Sequence, residues 1–327
     1  MRGAIADLHR LLAASFGADR VRTHVPLAPF TTFKVGGPAD LLFEPRSSDE
    51  MTRALGMAHD AGVPVTVLGG GSNVLISDGG VRGLVLRPRA GTITPESPRH
   101  VRADAAVTIN ELVRWTVARG LAGAEAWAGT PGTVGGGVYG NAHWAGQLLS
   151  ELIESVRLWQ PGGLVVDAPA ADMEFGYDRS RLQRTPEVLL SARFIVSSGD
   201  PAALRTTARA SLAYRKRTQP LHVPSAGCIF QNPAPDESLP DDVPRSAGAL
   251  VDRAGMKGVR EGPAVVSPTH ANFIVNEGGA TARDIRALIE ACRTAVRDRY
   301  RVELRDEIAY VGEFPVESEV SRVHPAD

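Results

Sequence analysis

Two glycine-rich loops constrain this chain more than any other feature: Gly69-Gly70-Gly71-Ser72-Asn73, and Gly129-Thr130-Pro131-Gly132-Thr133-Val134-Gly135-Gly136-Gly137. Glycine has no Cβ, so consecutive glycines let backbone N–H groups converge on the oxygens of a ligand, as in a pyrophosphate cradle. Either loop alone reads equally well as a surface turn. As a pair they point to a dinucleotide. Neither follows the G-x-G-x-x-G pattern with an acidic ribose partner, nor GxxxxGK[ST], which disfavours a Rossmann fold and a P-loop.

At 327 residues the chain exceeds one ordinary hydrophobic core, so two or three domains are expected. A net charge of -1 gives no global reason to bind nucleic acid or membrane. Asp7, His9 and Arg10 interrupt the first ten residues before any signal-like apolar run, and no stretch approaches a membrane span. The cytoplasm is the expected compartment. The two cysteines, Cys228 and Cys292, lack CxxC or finger spacing, which supports neither a disulfide framework nor a metal site.

Periodicity predicts a helix over residues 5–16 on Ile5, Leu8, Leu11 and Leu12, a strand at 40–44, and a helix from Ser47 with a reciprocal cap to Glu50. A strand at 63–68 runs into the first glycine loop. Strands follow at 74–77 and 84–87, then a helix capped by Thr108 and Glu111 that stops at Gly120. Short strands return over residues 152–196, giving an α+β class. A basic helix is expected at 202–216 and a last helix at 281–300 that buries Cys292. The tail beyond residue 313 is polar and reads as disordered.

The residues carry a specific resemblance. Thr32-Phe33-Lys34-Val35-Gly36-Gly37, Leu68 through Leu75, and Gly129 through Gly136 are similar in order and spacing to the FAD-binding part of the UDP-N-acetylenolpyruvoylglucosamine reductase family. The likeness continues through Phe175-Gly176-Tyr177, the run Ser225 to Pro233, and the run Ser267 to Asn276. It covers roughly Thr31 to Gly312. It implies an FAD-binding domain of the vanillyl-alcohol-oxidase (PCMH) type plus a C-terminal α/β substrate-binding domain. The expected division is 1–30 lead-in, 31–200 flavin domain, 201–313 substrate domain and 314–327 tail. FAD would be held by Gly69, Gly70, Gly71, Ser72, Asn73, Gly129, Pro131, Gly132, Thr133, Gly135 and Gly136. NADPH would be the reductant and a UDP-sugar the substrate, in peptidoglycan precursor synthesis; a monomer is expected.

Reducing an enol ether conjugated to a carboxylate needs hydride at one carbon, stabilisation of the charge that develops, and a proton for the other carbon. The resemblance gives the proton to Cys228, where the family usually has serine, between Gly227 and a strand expected at Ile229-Phe230-Gln231-Asn232; the bland reading is a small buried residue. It gives Glu307 the role of helping to position or stabilise the protonated intermediate, against a solvated glutamate beside an edge strand. Similar proteins read Phe-Gly-Tyr-Arg-x-Ser, whereas this chain reads Phe175-Gly176-Tyr177-Asp178-Arg179-Ser180. Asp and Arg are interchanged, so Arg179 fills the arginine role only through a local bulge, and a surface Asp178/Arg179 pair is an equal alternative. Tyr177, Arg215 and Asn232 are the substrate-binding candidates, Arg215 as a fork for the pyrophosphate or as part of a solvated basic face. Only short connections separate Ser180 from residue 202, which resembles the shorter members that lack an extra tyrosine loop. Two other readings stay open: a sugar or alcohol oxidase of the same fold, although no histidine lies in either loop to tether FAD, and a non-catalytic flavin protein.

Overall fold

In a computed structural model of the chain, residues 2–235, 237–239 and 241–314 are described. Nearly all of the expected tail therefore lies outside the described residues. Helices α1 (Arg2–Phe16) and α2 (Ser48–Asp60) pack on a four-stranded sheet in the order Val21–Pro26, Pro38–Phe43, Val81–Leu86, Val65–Val67. The first pair is antiparallel and the others parallel. Leu8 and Leu12 of α1 join Leu41, Phe43, Leu55 and Leu84 in one core. Leu11, expected on the same face, is exposed, because the buried stripe follows the four-residue step from Leu8 to Leu12. Ser47 does accept from the Glu50 N–H. The reciprocal bond is absent, since the Glu50 carboxylate binds the Arg46 N–H and the Arg20 guanidinium instead.

The chain then builds a five-stranded antiparallel sheet, ordered Val165–Pro169, Ile153–Trp159, Val188–Ile195, His100–Asp104, Ile93–Ser97. Helix α3 (Ile109–Ala118) carries the full capping box from Thr108 and Glu111 and gives way to Gly120 in the left-handed region, φ 66°. The second glycine run is shorter than it reads. Its latter part is helix α4 (Val134–Tyr139), because the Thr133 hydroxyl accepts from the Gly136 N–H and opens a helical turn. A Cβ on Gly137 would sit 2.8 Å from Leu149 Cδ2, so glycine there permits packing. Helix α5 (Pro201–Thr218), capped by Asp200, rests on α3 and on the turn Glu125–Trp127.

The last part holds α6 (Ala247–Arg253), α7 (Ala282–Tyr300) and a three-stranded sheet of Arg260–Glu261, Ala264–Val266 and Ile274–Asn276. Its core, including Cys292 at 1% exposure, also takes in Phe33, Val35 and Leu75 from the first part. Strand Ala309–Val311 returns to pair in parallel with Val74–Ile76, directly after the first glycine loop. The Asp78 carboxylate accepts from the N–H groups of Ala282 and Arg283 and so caps α7 from a distant part of the chain. The Asn276 amide donates to the Phe33 carbonyl at 2.9 Å. Among the described residues no helix is long and apolar enough to cross a membrane.

Candidate functional site

The two glycine loops lie against each other. A Cβ on Gly70 would stand 2.8 Å from Gly132 Cα, and one on Gly132, whose φ is 98°, would stand 2.7 Å from Ser72 Oγ. Gly69 faces the Thr133 hydroxyl in the same way, and Gly71, φ 63°, abuts the Phe30 carbonyl. At Gly70 and Gly71 glycine is required by close approach of backbone to backbone, whereas at Gly69 and Gly132 it leaves room for a facing hydroxyl. Among the described residues, none of the N–H groups of residues 69–73 has a backbone partner. A run of unpaired donors on a partly exposed loop is the arrangement that receives phosphate oxygens, so the residues present fit the pyrophosphate of FAD. Other expected contacts act within the protein. Gly129 N–H donates to Asn110 Oδ1, Gly135 N–H to the Ala105 carbonyl, and Gly136 N–H to Thr133, while Pro131 has no N–H to offer.

Cys228 opens a segment that the sequence suggests is a strand, but the structure forms only a single bridge there, Phe230 opposite Asp306. On the other side the ladder is completed by a side chain. Asn272 Oδ1 accepts from the Phe230 N–H at 2.9 Å, its Nδ2 donates to the Phe230 carbonyl at 2.8 Å, and its own carbonyl accepts from the Ile229 N–H. The Asn272 side chain also stands beside the Cys228 thiol and offsets a small part of the rise in its proton affinity. Loss of hydration raises the proton affinity of that thiol, and the charges of Glu307 and Asp178 raise it further, so the protonated form is favoured.

Glu307 reaches the same place from the C-terminal end. Its N–H donates to the Ile229 carbonyl at 2.8 Å, and its carbonyl accepts from Asn73 Nδ2 at 3.0 Å. The Asn73 carbonyl accepts from the Ala309 N–H, so the first glycine loop grips this segment twice. Burial, reinforced by Asp178, holds the Glu307 carboxyl well above the usual carboxylate range.

Residues 176–179 form a tight turn in which Gly176 and Arg179 exchange both backbone hydrogen bonds. Tyr177 and Asp178 are its tip, and Asp178 takes φ 51°. No bulge delivers Arg179 to the site: it is exposed, and its guanidinium lies over Gly176. Asp178 faces inward instead. Its Oδ1 is 3.0 Å from His143 Nδ1, and its Oδ2 is buried with no partner among the described residues. His143 Nε2 is 3.3 Å from the Tyr177 hydroxyl, which Asn232 Nδ2 reaches at 3.5 Å; Asn232 Oδ1 in turn accepts from the Ala247 N–H at the start of α6. Donor atoms of His143, Asp178 and Glu307 lie within 4.8 Å of one another, a grouping that no spacing in the sequence announces. Arg215 is buried at 5% exposure, bonded to the Thr130 hydroxyl and stacked 3.4 Å from the Trp144 ring centroid, so it supports the second glycine loop. Burial pulls its guanidinium down to about 10, still charged at neutral pH.

Cys228, Glu307, Tyr177 and Asn232 are thus brought together, Arg215 stands behind them, and Arg179 is outside. Sequence reasoning missed His143 and the structural work of Asn272. The interchange at Asp178 and the cysteine at 228 in place of the usual serine were the signals that the site is unusual.

Comparison with known proteins identifies the family. Residues 39–169 match the model for an FAD binding domain, and residues 219–311 match that for the UDP-N-acetylenolpyruvoylglucosamine reductase C-terminal domain. The chain is 39% identical over 306 residues to the UDP-N-acetylenolpyruvoylglucosamine reductase of Myxococcus xanthus, covering 92% of this chain and 95% of that protein. It is 39% identical over 300 residues to that of Synechococcus sp., covering 91% and 93%. The crystal structure of the reductase from Thermus caldophilus superposes with a TM-score of 0.75 at 30% identity, over 90% of this chain and 99% of that one. With an FAD-binding domain, the matching C-terminal domain and relatives aligned over nearly its whole length, the chain belongs to the UDP-N-acetylenolpyruvoylglucosamine reductase family.

Proposed function

We propose that the protein reduces the enolpyruvyl ether of UDP-N-acetylglucosamine to UDP-N-acetylmuramate, with NADPH as reductant, in the synthesis of peptidoglycan precursors. The observation that carries this reading is the meeting of Cys228 and Glu307 at the edge of the glycine loops, both in environments that favour their protonated forms. Hydride addition to the terminal alkene carbon leaves negative charge on the carbon that bears the carboxylate. That carbon must then be protonated. Bound FAD would supply the hydride received from NADPH. Cys228 holds a proton at Sγ until the developing carbanion, a far stronger base than a thiolate, removes it. Neutral Glu307 donates a hydrogen bond toward the charge developing on the carboxylate.

The FAD pyrophosphate is assigned to the N–H groups of residues 69–73, with Gly129, Pro131, Gly132, Thr133, Gly135 and Gly136 shaping the facing wall. Tyr177 and Asn232, joined by their hydrogen bond, are assigned to the sugar nucleotide. The connection from Ser180 to α5 contains the turn Arg181–Gln183 and the strands Val188–Ile195 and Ser197–Ser198, which supports the shorter type of family member. Residues 31–200 and 201–313 are taken as flavin-carrying and substrate-carrying parts, with α5 packed across onto the former. A cytoplasmic monomer completes the reading. The test is direct: the purified protein should be yellow and should oxidise NADPH only when the enolpyruvyl UDP-sugar is added. NADPH consumption that is indifferent to that sugar overturns the assignment.

A further inference from the structure

The proposed chemistry brings a substrate carboxylate into a site whose own charges are largely negative. Asp178 and Glu307 both act on Cys228, and Asp178 acts on Glu307. A further negative charge beside Asp178 is repelled unless a cation receives it. Two side chains beside the cluster, Arg215 and His143, can carry positive charge. Arg215 is fixed in the wall by Thr130 and Trp144, and Arg179 lies outside over Gly176. His143 differs from both. It sits on the hairpin of His143–Trp144 and Gln147–Leu148, with one ring nitrogen anchored on Asp178 and the other toward the hydroxyl of the exposed Tyr177.

We propose that His143, positioned by Asp178, is the cation that binds the enolpyruvyl carboxylate. Where similar proteins place an arginine this chain places Asp178, and an imidazole takes over the positive charge. The inference rests on the reaction proposed above. Hydrogen bonding assigns the resting arrangement: Asn232 donates to the Tyr177 oxygen, so the Tyr177 O–H is directed to His143 Nε2, and Nδ1–H is directed to Asp178. With a proton on Nε2 the ring becomes a donor there. The Tyr177 proton is then free to rotate outward. Imidazolium N–H and phenol O–H thereby present two donors along one edge of the site, which suits the two oxygens of a carboxylate. Asp178 acts through His143 and is a positioning residue; its positive φ and its 9% exposed side chain keep the carboxylate turned inward against the ring. The Tyr177 ring lies against the His143 ring, tilted by 36° with centroids 4.5 Å apart, and limits its rotation.

The experiment measures binding to the FAD-loaded protein by the change in flavin absorbance, with two probes: the enolpyruvyl UDP-sugar, and UDP-N-acetylglucosamine, which has no carboxylate. His143→Gln should weaken the first between about tenfold and a hundredfold, the range for loss of a charge-assisted hydrogen bond, and leave the second unchanged. His143→Lys should recover part of the preference. Asp178→Asn, which keeps a hydrogen-bonding partner but removes its charge, should show a smaller selective loss. Equal weakening of both probes, or of neither, overturns the proposal, as does failure of His143→Lys to recover any preference while its flavin content and melting temperature match the parent. Failure of the underlying reaction looks different: the parent protein, reduced by NADPH, would not be reoxidised by the enolpyruvyl sugar at all.

Discussion

Asn272 offers the sharpest test of how the site is held, because one side chain replaces a strand. Its amide pairs both backbone groups of Phe230, at 2.9 and 2.8 Å, in a place where Asn272 is 4% and Phe230 2% exposed. Asn272→Ala leaves a buried N–H and a buried C=O without partners. Each such orphan costs about 1–3 kcal/mol, so a loss of about 2–6 kcal/mol is expected, far above that of a surface substitution. Asn272→Asp should be at least as harmful, since it sets a carboxylate oxygen against the Phe230 carbonyl. Urea unfolding followed by tryptophan fluorescence measures the loss. Cys228 gives a second readout: with the neighbouring Phe230 backbone no longer held, its thiol should react faster with a thiol reagent under native conditions. A loss below about 1 kcal/mol with unchanged thiol reactivity would refute the reasoning, because it would mean that water satisfies Phe230 as well as the side chain does.

Cys228→Ala should abolish reduction of the enol ether while flavin reduction by NADPH continues, and Cys228→Ser should retain measurable turnover; stopped-flow absorbance separates the two half-reactions. Gly70→Ala drives a methyl group into Gly132, so the protein should purify with little flavin, as read from its visible absorbance. Glu307 retains a proton in the folded state that it loses when unfolded, so its contribution falls as pH rises from the ordinary carboxyl range through its elevated native value. Glu307→Gln should therefore flatten that part of the stability-against-pH curve and make the protein relatively more stable at alkaline pH, which denaturation at a series of pH values will show.

Local signals in the chain were sufficient for much of the fold. The cap at Thr108, the apolar face of α7 and the isolated glycines each act within a few residues, where propensity and hydrogen bonding decide the outcome. Legibility ended where partners come from far away. Glu50 looks like a capping partner for Ser47, but Arg20 and the Arg46 N–H hold its carboxylate. The segment from Cys228 reads as a strand by composition, yet its second neighbour is the Asn272 side chain, which no periodicity reveals. The interchange of Asp178 and Arg179 could be seen but not resolved. Only the tight turn, with Asp178 at positive φ, decides which of the two faces Glu307. His143 was passed over because neither a nucleophile nor a ligand pattern adjoins it in sequence.

Asn73 has a consequence beyond its place in a loop. Its side chain and its carbonyl hold residues 307 and 309, while its N–H belongs to the run of donors assigned to the cofactor. The seat of the flavin and the seat of the acid therefore share one rail. A change that tilts the loop to suit another nucleotide also slides Glu307 along the chemistry it serves. Variants selected for altered cofactor affinity should drift in how well they stabilise the developing charge, and the two properties can be tuned apart only by first cutting the bonds of this asparagine.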